Sequence, residues 1–216
     1  MPTPRIENLN TDRIASIMSV ALKEFAENNY HKSSFNRIIK NCGMSKGTMY
    51  YYFKNKQDLF LTLLHSITRD FKPLVEKPST NPESPGAYWA EANRLLGSLM
   101  KLMYQKKTLG QFIRSFLTIE SRHSPGPSAA MVSSIEDWLE NSLLTGQLVG
   151  AVRRDVPVDL LIQMIWSIWE TTNLWLQESL TDLNAEESSD IMLDFIKRAL
   201  LPYSAMTDQA PQQEGL

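Results

Sequence analysis

Residues 28–57 combine basic charge with aromatic and small polar side chains in a pattern that suits contact with a polyanion. The segment holds six Lys or Arg residues and no acidic residue. Residues 45–52 read SKGTMYYY, which places a cation, a glycine, hydroxyl groups and phenols side by side. Such side chains bind phosphate oxygens and base edges, and a glycine lets the backbone approach a duplex closely. The pattern indicates a nucleic-acid contact.

The charge of the whole chain conceals this basic segment. The formal net charge of the 216 residues is −2. Residues 1–60 carry nine Lys or Arg against five Asp or Glu, whereas residues 61–216 carry thirteen against nineteen. A polyanion is therefore expected to dock on the amino-terminal part.

Two short helices must present these residues. One is predicted to begin after Ser33 or Ser34, either of which can cap it, and to end at Gly43. The next is predicted over residues 46–53, with Ser45 as its cap and with Met49 and Phe53 on its buried face. Two helices joined by a three-residue turn that contains glycine form a helix-turn-helix.

Helical spacing of apolar residues continues on both sides, and no segment alternates as a strand would, so we predict an all-α fold. A first helix spans residues 12–28 and ends at Asn29, a residue type that tolerates a left-handed conformation. A fourth helix begins with Asn55 and Asp58 as its capping pair, and Pro73 marks its end or a kink. Further helices are expected over residues 88–104, 108–122, 129–145, 157–180 and 185–200.

These elements suggest a small domain joined to a larger one. Three prolines within residues 77–86 indicate a linker or surface loop. We expect a helix-turn-helix domain over residues 1–56, a connecting helix and linker over 57–84, a helical domain over 85–203 and a disordered tail over 204–216.

Residues 30–60, YHKSSFNRIIKNCGMSKGTMYYYFKNKQDLF, resemble the DNA-binding domain of tetracycline-repressor (TetR) family regulators. The likeness includes the pattern G-x-S-K-G-T-x-Y-x-Y-F-x-x-K-x-x-L at residues 43–59 and covers roughly residues 10–64. It departs at Asn29, where glycine is usual, and at Ile39 and Cys42, where small residues are commoner. The resemblance implies a regulator that binds double-stranded DNA.

Candidate DNA-contacting residues follow from the helix ends and from this resemblance. Serines at helix N-termini favour a phosphate, because the backbone amides and the helix dipole point at it. Lys56 lies in the first turn of the fourth helix, where its charge opposes the dipole unless a phosphate binds beside it. The candidates are Ser33, Ser34, Ser45, Lys46, Gly47, Thr48, Tyr50, Tyr51, Tyr52 and Lys56.

The resemblance also implies a domain that binds a small-molecule effector. Sites between helices are lined by apolar and aromatic side chains with a few polar groups, although most such side chains are core in any helical domain. Glu170 and Asn173 could orient a polar or cationic ligand, or could instead lie at an interface. The candidates are Met100, Met103, Tyr104, Phe112, Phe116, Trp138, Trp166, Trp169, Glu170 and Asn173.

A homodimer is implied as well, formed by the helices at residues 157–180 and 185–200. Two-fold symmetry predicts an inverted-repeat operator, each half read by one third helix. An effector that favours wrongly spaced helices would release the DNA, as expected of a repressor. Replacing Lys46 and Tyr50 separates this hypothesis from a helical interaction module without DNA binding.

An enzyme is the other alternative, and the sequence offers little for it. The three histidines are scattered, no Cys or His cluster has metal-ligand spacing, and no glycine-rich phosphate loop is present. We therefore expect no catalytic residues, no metal and no cofactor. The single cysteine excludes an intramolecular disulfide, no secretory leader begins the sequence, and the most apolar stretch, residues 156–176, is too polar for a membrane span, so we expect a cytoplasmic protein.

Overall fold

The protein is all-α, as predicted. The computed structural model describes residues 11–75, 82–118, 126–127, 129–178 and 183–203. For residues 70–75 and 178 it describes the backbone only. Within those ranges every regular element is a helix. They are α1 (Thr11–Lys32), α2 (Phe35–Asn41), α3 (Lys46–Tyr52), α4 (Lys56–Val75), α5 (Pro85–Gln105), α6 (Lys107–Phe116), α7 (Ala129–Leu148), α8 (Val158–Glu178) and α9 (Ala185–Leu200).

The chain forms two compact units. The first comprises Met1–Lys77 and Leu102–Ala130, and the second comprises Pro78–Lys101 and Met131–Leu216. This division differs from the boundary expected at residue 85, because α6 belongs with the amino-terminal helices. The reason is the apolar face of α6, which packs on α1 and places Phe112 and Phe116 against Phe60 of α4, at 6.1 and 6.4 Å between ring centroids.

The core of the first unit is built from the predicted apolar stripes. Phe25 of α1 meets Phe60 of α4 edge to face, with ring centroids 4.9 Å apart. Met49 and Phe53 are fully buried, as expected for the inner face of α3. Seven-residue helices are too short to be stable alone in water, so α2 and α3 depend on this packing.

Glycine sets the junction between α5 and α6. A single residue, Lys106, separates the two helices. A methyl group built on Gly110 would lie 2.5 Å from the carbonyl oxygen of Met103, so only glycine fits at this crossing. The helix α6 ends at Phe116, before the expected residue 122.

The second unit has its own core, formed by residues of α5, α7, α8, α9 and the α7–α8 loop. The buried members are Tyr88, Trp89, Leu143, Ala151, Val152, Leu161 and Leu200. The amides of Ala151 and Val152 donate to the carbonyl of Gly146, which draws the loop onto the core. The backbone amide of Arg153 donates to the Leu200 carbonyl at 2.8 Å and ties the loop to α9.

Several helix limits differ from the expected ones by a few residues. α5 begins at Pro85, α7 extends to Leu148, and α8 starts at Val158, immediately after Pro157. α4 continues through Pro73 to Val75, whereas α9 has the expected limits. The central part of the expected linker, residues 76–81, and the expected tail, residues 204–216, lie outside the described residues.

Candidate nucleic-acid interface

The turn between α2 and α3 has the geometry of a glycine-terminated helix end. Gly43 has a φ of +61°, which glycine adopts at little cost. Its amide donates to the Lys40 carbonyl at 3.0 Å, and the Met44 amide donates to the Ile39 carbonyl at 3.2 Å. This pair of bonds is the Schellman motif, so α2 stops where the sequence predicted.

Side-chain caps fix the start of both helices. The Ser34 hydroxyl accepts a hydrogen bond from the Arg37 amide, so Ser34 rather than Ser33 caps α2. The Ser45 hydroxyl accepts from the Thr48 amide at 3.1 Å and lies 2.8 Å from the Thr48 hydroxyl. Both caps hold the helix-turn-helix in place without DNA.

The outer face of α3 carries most of the predicted contact residues. Lys46, Gly47 and Thr48 are exposed, and half the surface of Tyr50 and Tyr51 is accessible, at 50% and 52%. Among the described residues no acidic side chain pairs with Lys46. The cation is therefore available to an external anion.

Aromatic contacts limit the freedom of the tyrosines. The Tyr50 ring packs edge to face on Phe35 of α2, with centroids 5.3 Å apart. Tyr51 and Tyr52 make a similar contact at 5.0 Å, and Tyr52 is half-buried. A preoriented phenol loses little side-chain entropy on binding.

Ser33 is placed differently from the other candidates. Its side chain is buried, with 6% of the residue accessible, and its hydroxyl donates to the Tyr30 carbonyl at 2.7 Å. It lies in the turn between α1 and α2 rather than at a helix N-terminus. The hydroxyl therefore stabilises the turn.

Lys56 binds backbone carbonyls at the end of α1. Its ammonium donates to the carbonyls of Tyr30 at 2.7 Å, Ser33 at 3.1 Å and His31 at 3.4 Å. It also lies 4.5 Å from the centre of the Tyr30 ring. Burial lowers the pKa of Lys56, against the attraction of Glu24. The lysine thus compensates carbonyl groups at the end of α1, which is the physical reason for its position at the start of α4.

An ion pair at the start of α2, which the sequence pattern did not predict, joins the buried Glu24 to the half-exposed Arg37. Glu24 accepts the Ser34 amide at 2.8 Å and is bidentate with the Arg37 guanidinium, at 2.9 and 2.6 Å to Oε1. Burial opposes ionisation of Glu24, but the bonds from Arg37 and Ser34 outweigh it and lower the pKa of the carboxyl. The available signal was the position of Glu24 on the apolar stripe, three residues after Ala21. Arg37 is therefore not a free member of the basic segment.

The effector candidates are divided between the two units. Met103, Tyr104, Phe112 and Phe116 belong to the first unit, whereas Met100, Trp138, Trp166, Trp169, Glu170 and Asn173 belong to the second. Most are buried, but Tyr104 and Trp138 are exposed and Glu170 is half-buried. The Asn173 amide donates to the Trp169 carbonyl at 2.8 Å, one turn earlier in α8. This bond uses one donor hydrogen of the Asn173 side-chain amide, the group that could orient a ligand.

Within the described residues, no helix is both long enough and apolar enough to cross a membrane. No group of three metal-ligating side chains lies close together in the same part of the chain.

Sequence comparisons place the helix-turn-helix in a known class. A family model described as bacterial regulatory proteins, tetR family, matches residues 17–63. The HTH-type transcriptional regulator YhgD of Bacillus subtilis is 30% identical over 145 residues, which span 67% of this chain and 74% of that protein. The fatty acid metabolism regulator protein of the same species is 26% identical over 165 residues, or 74% of this chain and 81% of the relative.

Solved structures share the fold along most of the chain. A TetR family transcriptional regulator from Chloroflexus aurantiacus has a TM-score of 0.67 and 20% identity, covering 93% of this chain and 98% of its own. FadR from Bacillus subtilis, in complex with stearoyl-CoA, has a TM-score of 0.61 and 21% identity, covering 86% and 98%.

Proposed function

Because the chain belongs to the tetR family of bacterial regulatory proteins and is a transcriptional regulator, we propose that it is a repressor that binds an inverted-repeat operator as a homodimer. The observation that carries this proposal is the outer face of α3. It presents Lys46, Gly47, Thr48, Tyr50 and Tyr51 on a helix whose caps and buried residues fix its orientation. A helix of this kind enters the major groove with its first turn toward the bases.

Each exposed side chain of α3 has a distinct expected role. Lys46 supplies a cation for a phosphate or for the acceptors of guanine. Thr48 offers its methyl group to a thymine, while its hydroxyl is shared with Ser45. Tyr50 and Tyr51 donate phenolic hydrogens to phosphates. Ser34, Ser45, Tyr52 and Lys56 support this surface, since they cap helices, pack or bind backbone carbonyls.

The test is the double variant Lys46→Ala with Tyr50→Ala. We expect loss of sequence-specific operator binding in a fluorescence anisotropy titration, with an unchanged far-UV circular dichroism spectrum and oligomeric state. Lys101→Ala, which removes an exposed cation from α5, is the control and retains affinity. Wild-type affinity should also fall steeply as salt is added. Operator binding that survives the double variant contradicts the proposal.

A small, largely apolar effector is proposed to release the operator. The name of the fatty acid metabolism regulator protein of Bacillus subtilis supports this class, and so does the structure of FadR from that species with stearoyl-CoA. An effector that binds better to a conformation with wrongly spaced α3 helices lowers DNA affinity by that difference alone. We expect an acyl compound to release the labelled operator. The short water-soluble head group of that compound, added alone, should not release it.

A further inference from the structure

Arg114 of α6 is a partly buried cation that lacks a matching anion among the described residues. Its side chain is partly buried, and its Nε–H is fully enclosed with no hydrogen-bond partner. Within the described part of the chain, no carboxylate lies at ion-pairing distance from it. Burying a guanidinium without compensation is unfavourable, and proteins usually avoid it.

The other described arginines follow that rule. Four guanidinium groups are paired with a carboxylate: Arg37 with Glu24, Arg94 with Glu91, Arg153 with Asp155 and Arg198 with Asp194. Arg154 donates to the Gln147 carbonyl, and Arg13 and Arg69 are exposed to water. Arg114 differs from all of them, because its Nε–H is enclosed without a hydrogen-bond partner and its guanidinium is not paired with a described acid.

The location of Arg114 is fixed by the α5–α6 junction. Gly110 lies one turn earlier on the same side of α6, and its backbone is held against the Met103 carbonyl. Tyr104, at the end of α5, is close enough to Arg114 to influence it electrostatically. Burial lowers the pKa of Arg114, and Tyr104 opposes that shift. A guanidinium beside a phenol provides several donors for one anionic group.

We propose that Arg114 binds the carboxylate or phosphate of the small-molecule effector, an inference that rests on the proposed function above. The effector is then an amphipathic anion with an apolar portion. This differs from the polar or cationic ligand that Glu170 and Asn173 suggested in the sequence. Because α6 packs on α1 within the first unit, the anion is held by a helix of the unit that also contains the helix-turn-helix.

The test uses three probes with the same alkyl chain: dodecanoate, dodecanoyl-coenzyme A and dodecanol. We expect the full-length wild type to bind at least one anion more tightly than the alcohol in isothermal titration calorimetry. Arg114→Gln should lower the affinity for that anion by about tenfold or more. Its affinity for the alcohol should stay within about twofold of the wild-type value. Loss confined to dodecanoate identifies a carboxylate, and loss confined to the coenzyme A ester identifies its phosphates. Arg114→Lys, which retains the charge, should keep part of the preference.

Lys107→Ala is the matched control, because it removes an exposed cation from the same helix. It should bind all three probes as the wild type does. An Arg114→Gln variant that binds both anions with unchanged affinity overturns the proposal, and so does a wild type that binds neither anion better than the alcohol. Operator binding is measured in parallel. Absence of operator binding by the wild type would contradict the proposed function, independently of the results for Arg114.

Stability of the ligand-free protein gives an independent readout. Arg114→Met removes a charge that has no compensating anion among the described residues, so the Tm should rise by about 2–4 °C. A lower Tm means that the guanidinium is already satisfied within the protein, and it overturns the proposal.

Discussion

At the residue scale, the passage from α1 to α2 is fixed by polar groups that the apolar pattern does not reveal. Asn29 adopts a φ of +47° and a ψ of −179°. Among the described residues, it is the one non-glycine residue with a positive φ. Its side-chain oxygen accepts the Lys32 amide at 3.2 Å. Glu24 and Lys56 then bind groups on either side of the turn. These contacts position the start of α2 relative to α1.

Asn29→Gly should stabilise the protein, because glycine adopts this backbone conformation with less strain. The strain is of the order of 1–3 kcal/mol, and loss of the exposed bond to Lys32 offsets part of the gain. We expect the free energy of unfolding in urea to rise by about 1 kcal/mol. Asn28→Gly, at the neighbouring helical position, is the control and should lower it. A destabilised Asn29→Gly variant would refute this reading of the turn.

Glu24→Gln should lower the free energy of unfolding at neutral pH by about 1–3 kcal/mol, because Arg37 loses its charged partner. The pKa of Glu24 is lowered in the folded state by its bonds to Arg37 and Ser34, against burial. Its contribution is therefore complete above the pKa of the unfolded chain and is lost as pH falls through the folded value.

The measurement is urea unfolding of both proteins from pH 7 to pH 3. The difference between wild type and variant should be largest above about pH 5 and shrink below about pH 4. Glu27→Gln is the control on the same helix, since its pair with Lys23 is exposed and long at 3.9 Å. It should change stability by less than about 0.5 kcal/mol. A Glu24→Gln effect that does not vary with pH counts against the ion pair.

At the element scale, one face of α3 is buried and contributes to stability, and the opposite face carries the candidate DNA-contacting residues. Met49 and the following Phe53 anchor it to the first unit, and the opposite face has few protein contacts. Gly47 lies on the open side, where an added methyl group would meet only the Ser45 hydroxyl, at 3.9 Å. Nothing in the fold of the described residues requires a glycine there.

Gly47→Ala should therefore stabilise α3 while weakening operator binding. Alanine is favoured over glycine inside a helix by up to about 1 kcal/mol. If the backbone at this point approaches DNA closely, the new methyl group collides with the duplex, and affinity falls roughly tenfold. Thermal unfolding and an operator titration measure the two effects. Gly86→Ala in α5, where the methyl group is equally unobstructed, should leave operator affinity unchanged.

At the scale of the whole molecule, the second unit leaves apolar side chains uncovered on α8 and α9. These two helices pack on each other, and their exposed members are Leu160, Leu174, Trp175 and Phe195. Exposed apolar groups on adjacent helices are typical of a surface that a second copy covers. Leu200, in contrast, is buried within the unit and is not available to a partner.

Phe195→Asp tests the proposed homodimer. Phe195 is 54% exposed on α9, and a carboxylate there would be desolvated at an apolar interface. Sedimentation velocity should report a shift from dimer to monomer, accompanied by weaker binding to a two-site operator. Leu148→Asp, at a residue 79% exposed on α7, is the control and should remain dimeric. Persistence of the dimer in Phe195→Asp would exclude α9 as the contact.

The sequence by itself determined the helix-turn-helix, because its signals are local. The cap at Ser45, the positive-φ glycine at Gly43 and the buried pair Met49 and Phe53 each act within a few residues. The all-α class followed from the same helical spacing. The local charge run also located the candidate DNA-binding surface.

Only the tertiary structure decided which polar groups meet across the chain. Lys56 binds carbonyls up to 26 residues away, and Glu24 binds a side chain 13 residues away. The helix α6 packs on α1, which is distant from it in the sequence. A lysine side chain can point to DNA or to a helix end with the same local sequence. Helix packing brings the α1 carbonyls within reach of Lys56. Packing likewise encloses the Nε–H of Arg114, which its local sequence does not predict.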